Sequence, residues 1–105
     1  MKTAAELFTA VPKLHNCAQA VCEGLGFPEL VPQMAACGGG RAPLGRCGAL
    51  HAAMTVAPED KREQIRQAFL AEMPSETCRE LKANGVPCLK CVETAERLAK
   101  AALGK

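Results

Sequence analysis

Seven cysteines in 105 residues are the side chains of this chain best suited to chemistry. Cys88 and Cys91 form a CxxC, Cys17 and Cys22 share one short segment, and Cys78 stands alone. Cys37 and Cys47 bracket most of the run CGGGRAPLGRCGAL at 37–50, which contains five glycines. A thiolate is both a nucleophile and a soft-metal ligand, so such a chain points to metal ligation or to redox exchange. The odd count excludes complete pairing within one chain.

The CxxC can present both thiols to one ligand from the first turn of a helix. There is no second CxxC to support a zinc ribbon, and Val92 stands where covalent c-type haem attachment would need histidine. His15 and His51 are the two histidines. His51 follows Cys47 by one helical turn and could ligate or hydrogen-bond beside that sulfur, whereas a structural role is the commoner one for a lone helical histidine. His15 reads as a surface or capping residue. Arg41 and Arg46 flank the glycine run, where they could stabilise a thiolate or simply be solvated. No nucleophile, base and orienting group line up for hydrolysis. The chain is therefore at most an oxidoreductase or electron carrier, and not a hydrolase.

Helices must position these thiols, because β-branched residues are sparse and no period-two run occurs. Leu14, Cys17, Ala18, Val21 and Leu25 make one helical stripe, with Gly26 placed to end it. PELVPQMAAC predicts a helical turn or two around Pro32. Cys47, Leu50, His51 and Met54 form the next stripe. Pro58 opens a helix with Glu59 and Asp60 in its first turn and Ile65, Phe69 and Met73 as its seam. Ser75 is placed to cap SETCRELKAN, which Gly85 ends, and Pro87 opens the last helix. The expected fold is all-α, a single domain over 1–105 built as a compact bundle of five to six short helices with a glycine-rich loop at 38–46. Cys47, Cys78 and Cys88 fall near helix starts, where free amides and the helix dipole favour thiolate over thiol. Cys17, within an apolar stripe, is expected to point inward, and Cys22 reads as a small buried hydrophobe.

Nineteen alanines, three phenylalanines and no tyrosine or tryptophan imply a thin core of closely packed helices, which gains from a metal, a disulfide or a homodimer partner. A net charge of +2 without stacking aromatics argues against nucleic-acid binding. MKTAAELFTAVPKL lacks the apolar region of a signal peptide, and no run reaches membrane-spanning length. These features predict a cytoplasmic protein with no membrane insertion, in a compartment where structural disulfides are rare.

NCAQAV at 16–21, GGG at 38–40, CGAL at 47–50, Cys78 and CLKCVETA at 88–95 together resemble the redox-active family named for its C_GCAxxG_C_C pattern. The resemblance runs from about residue 14 to the C-terminus. It implies a small, helical, prokaryotic protein whose signature cysteines serve a redox or metal-cluster role. Carried over residue by residue, the signature cysteines are Cys17, Cys47, Cys78 and Cys88, with Cys91, Cys37 and His51 as secondary candidates. Cys22, Cys37 and Cys91 are additions to the pattern, and Ala52 replaces the glycine that closes its central element.

Three readings follow. In the first, an iron–sulfur cluster is held by cysteine thiolates, with Gly38, Gly39 and Gly40 supplying backbone close to the sulfurs, for electron transfer or redox sensing with a redox partner protein. In the second, a metal-free dithiol such as Cys47 with Cys88, or Cys88 with Cys91, cycles with its disulfide. In the third, the thiols hold zinc or copper.

Overall fold

Short capping signals start the helices. In the computed structural model, which describes residues 3–9, 15–37 and 45–104, Thr3 and Glu6 cap one another. The Thr3 N–H donates to Glu6 Oε1 at 3.1 Å and the Glu6 N–H to Thr3 Oγ1 at 3.2 Å. This capping box opens α1 (Ala4–Thr9), a helix that hydrophobic periodicity alone does not announce. A second box opens α2 (Cys17–Gly24): the Gln19 N–H donates to Asn16 Oδ1 at 2.8 Å, and the Asn16 N–H to Gln19 Oε1 at 3.0 Å. So α2 begins at Cys17. Leu14, which the apolar stripe includes, lies outside the described residues.

Pro28–Leu30 and Pro32–Met34 are two short 3-10 turns, each led by proline where a missing N–H costs nothing. They are tied to the start of α2, since Asn16 Nδ2 donates to the carbonyls of Met34 and Ala35 at 3.1 Å and Gln19 Nε2 to that of Val31 at 3.1 Å. Then come α3 (Gly48–Val56), α4 (Glu59–Glu72), α5 (Cys78–Ala83) and α6 (Cys88–Leu103). Thr77, not Ser75, caps α5. Thr77 Oγ1 accepts the Glu80 N–H, while Ser75 Oγ accepts the Thr77 N–H in the turn before it. Gly104 ends α6 in the left-handed region, at φ 73°. Among the described residues there is no strand, only an isolated antiparallel bridge between Arg46 and Thr77. The fold is an all-α compact bundle. None of the described helices is long and apolar enough to cross a membrane.

α3 lies at the middle of the bundle, against α2, α4 and α6. Its Ala49, Leu50, Ala52 and Ala53 are completely buried, as are Ala18 and Ala20 of α2 and Ala95 and Ala99 of α6. The alanines thus form the surfaces on which the helices meet, and Phe69, Leu25, Met34, Leu50 and Ile65 are the largest fully buried side chains. On the far side α1 is anchored by a buried carboxylate. Glu96 Oε2 of α6 accepts the Ala4 N–H at 2.7 Å, and Lys100 Nζ lies 3.8 Å from the same oxygen. Gly24 makes room for this bond, because a Cβ there would lie 2.6 Å from both the Ala4 nitrogen and Glu96 Oε2.

Glu96→Ala leaves the Ala4 N–H without its acceptor. It is expected to destabilise the fold by about 1–3 kcal/mol, read as a shift of the urea midpoint, with Glu96→Gln, which keeps an acceptor, closer to wild type.

Candidate functional site

The starts of four helices meet at one small cavity. Cys17 is the first residue of α2, Cys47 the N-cap of α3, Cys78 the first residue of α5 and Cys88 the first of α6. All four line the cavity, and Cys91, one turn into α6, lines it with them. Gly48, Leu81, Lys82 and Val86 complete the wall. The enclosed space is about 20 Å³, room for roughly one water-sized body. Cys17, Cys47 and Cys91 are buried, whereas Cys78 and Cys88 are half-buried and stand with exposed Lys82 towards solvent. None of the seven cysteines is in a disulfide.

Cys47 and Cys91 face one another in the cavity wall as hydrogen-bond donor and acceptor, and this interaction sets their acidities in opposite directions. Held first by this interaction and then by burial, the Cys47 proton is lost far less readily than from an ordinary thiol. The Leu50 and Ala49 amides at the start of α3 pull the other way, without completing a side-chain cap. Cys91, receiving the bond from Cys47, is pushed below the ordinary thiol value against the effect of its own burial. Burial raises Cys78, and the Lys82 ammonium beside it partly opposes that shift.

An ionic clamp holds two of these thiols in register. Glu76 Oε1 accepts from Arg46 Nε at 3.1 Å, and Glu76 Oε2 from Arg66 Nη2 at 2.7 Å. The Cys47 N–H donates to the Glu76 carbonyl at 2.7 Å. Arg46 precedes Cys47 and Glu76 lies two residues before Cys78, so the clamp fixes the start of α3 against the start of α5. Arg46 is thus committed to Glu76 and not to a sulfur.

The Arg66 hydrogen bond, followed by the Arg46 contacts and against some burial, holds the Glu76 carboxyl below the usual carboxylate range. Its folded-state value being depressed, its stabilisation is present above the unfolded carboxylate pKa and is lost as pH falls through the folded one. Glu76→Gln should flatten the acid limb of the stability–pH curve, measured by urea titration at stepped pH, and should weaken metal binding at neutral pH.

Gly48 is a glycine required by close approach. A Cβ there would stand 2.8 Å from Cys17 Sγ and 2.5 Å from the Cys37 carbonyl oxygen. The chain after the 3-10 turns therefore passes directly over the first turn of α3. Of the remaining candidates, Cys37 brings this carbonyl, while its half-buried thiol is not part of the cavity lining. Cys37 instead acts electrostatically on Cys22, whose thiol is pushed up to about 12, chiefly by burial. His51 is also off the cavity, and burial and Arg46 together lower its pKa. Gly38, Gly39, Gly40 and Arg41 lie outside the described residues. The Asn16–Gln19 capping box is the signal that marks Cys17 as a helix-start thiol like the other three.

The donor set fits a soft metal, with five sulfurs and neither carboxylate nor imidazole in the lining. Among the described residues no three ligating side chains are already drawn together in a ready-made metal site. The space is of about water size, so a metal centre requires the thiols on the partly exposed helix starts, Cys78 and Cys88, to rearrange around it. Compared with models of protein families, with curated proteins and with solved structures, the chain matches none.

Proposed function

We propose that the cysteine-lined cavity seats an iron–sulfur centre and that the protein is a small electron carrier or redox sensor. The observation that carries this reading is the convergence of five thiols from four separate helix starts on one cavity. Cys17, Cys47, Cys78 and Cys88 are the proposed ligands, and Cys91 is a fifth thiol within the same wall. Bound there, such a centre would supply one-electron transfer at a potential tuned by burial and by hydrogen bonds to sulfur. The Leu50 and Ala49 amides at the start of α3 favour thiolate on Cys47, against the effects of Cys91 and of burial, so a bound metal would have to displace that proton. The apolar wall of Leu81 and Val86 limits water, and Lys82 places a positive charge beside the half-buried edge, where an electron-exchange partner would approach. A reducing cytoplasm is the compartment that keeps seven thiols available for such a role.

The test is anaerobic purification followed by visible absorption and elemental analysis. The chain has no tyrosine or tryptophan, so sulfur-to-iron charge-transfer bands stand on a nearly blank background. A brown protein with iron and acid-labile sulfide is expected. A colourless protein that retains zinc, or one that binds no metal after reconstitution with ferrous iron and sulfide, would overturn the reading.

A further inference from the structure

Cys47 and Cys91 are the two most buried thiols of the cavity, 5% and 3% exposed. They come from two helices that pack on one another, α3 and α6, and both line the same small cavity. That shared wall places the two sulfurs on the route to a direct S–S bond. It is also a pairing different from the two that the sequence suggests, Cys47 with Cys88 and Cys88 with Cys91. The space in front of them is about 20 Å³, which admits a body of roughly water size and excludes a peptide disulfide. A bulky oxidant meets half-buried Cys78 and Cys88 first.

We propose that Cys47 and Cys91 form an internal dithiol that small hydroperoxides, of which hydrogen peroxide is the smallest, oxidise to a disulfide. One of the two sulfurs, as thiolate, attacks a peroxide oxygen. An S–O bond forms, the O–O bond breaks, and the departing hydroxide takes up the proton that the thiol released and leaves as water. The second sulfur then attacks the resulting sulfenic sulfur. The S–S bond forms, the S–O bond breaks, and the leaving oxygen departs as a second water with the proton from the second thiol. Two thiols lose two electrons and one hydrogen peroxide gains them, giving one disulfide and two waters. Oxidation withdraws Cys47 and Cys91 from metal binding, so peroxide would disassemble the centre. That consequence rests on the iron–sulfur reading, and the disulfide does not.

The experiment uses the full chain, reduced and metal-free, treated with one equivalent of hydrogen peroxide or of oxidised glutathione, then acid-quenched, alkylated and digested with trypsin. Cleavage after Arg46, Arg79, Lys82 and Lys90 leaves Cys47, Cys78, Cys88 and Cys91 on separate peptides. The expected first product is the Cys47–Cys91 linked peptide, formed about tenfold or more faster with peroxide than with oxidised glutathione, because access limits the larger reagent. The oxidised chain should also lose the thiolate-to-cobalt charge-transfer band that the reduced chain gives with cobalt(II). A first disulfide between Cys78 and Cys88 or between Cys88 and Cys91, or equal rates with both oxidants, would overturn the proposal. If the Cys47–Cys91 link forms as expected while the reduced chain binds no cobalt(II), the disulfide stands and the iron–sulfur reading falls.

Discussion

Replacing Cys47 with serine is expected to abolish the proposed metal binding while leaving the fold at or above wild-type stability. The two effects separate because Cys47 is the N-cap of α3. Serine is among the best residues at that position, its oxygen being suited to accept the second or third amide of the helix. The backbone conformation at residue 47 (φ −54°, ψ 128°) and the bond from its N–H to the Glu76 carbonyl do not depend on the side chain. What serine cannot do is present a soft thiolate from the buried side of the cavity. Loss of an outer-shell partner costs roughly 10–100-fold in metal affinity, and loss of a ligand itself should exceed that. Cobalt(II) titration of the reduced variant, beside its urea midpoint, measures both quantities.

Cys22 is the contrast. It is fully buried but absent from the cavity wall. Cys22→Ala should therefore bind metal as wild type does. Equal loss at Cys22 and Cys47 would show that the cavity does not distinguish the thiols.

Gly48→Ala is the second large effect, and its sign is opposite to what helix propensity predicts. In an ordinary helix interior the change would stabilise by about 1 kcal/mol. Here the added methyl would meet the Cys37 carbonyl at 2.5 Å and Cys17 Sγ at 2.8 Å. The nearer atom is backbone, held in turn by the Cys37 N–H bond to the Met34 carbonyl at 3.0 Å. Relief requires the chain at Cys37 to lift and α2 and α3 to part, and these helices meet through completely buried alanines. The expected cost is about 1–3 kcal/mol, the usual range for overpacking. Because Cys17 moves with α2, metal affinity should fall as well. A thermal melt with a cobalt(II) titration reads the two together. A stabilised variant with unchanged affinity would mean that the chain around Cys37 does not lie over α3.

Much of the architecture was legible from local chemistry. Pro58 with Glu59 and Asp60, and Pro87 ahead of the CxxC, mark the starts of α4 and α6 because proline and first-turn acids suit helix beginnings. The placement of Cys47, Cys78 and Cys88 at helix starts follows from the same signals. Two starts were less plain. The stripe from Leu14 made Cys17 look interior to a helix, although NCAQ carries the capping box that places it first in α2. The boxed TAAE before a short apolar segment opens α1, whose stability depends on the distant carboxylate of Glu96.

Which thiols share a cavity is a tertiary fact. Cys88 and Cys91 lie within one turn and both reach the cavity, while Cys37 contributes a backbone carbonyl and not a sulfur to this region. No periodicity distinguishes a cysteine that faces α3 from one that faces solvent, so Cys91 is placed by how α6 crosses α3. The role of Glu76 is likewise invisible in the sequence, because its partners Arg46 and Arg66 belong to other elements.

X-ray absorption at the metal edge of the anaerobically reconstituted protein tests the central claim most directly. The cysteine-lined cavity predicts a first shell of sulfur alone at iron, at the four-coordinate count usual for such centres. A first shell containing nitrogen or oxygen from the protein would place the metal elsewhere in the chain and contradict the account.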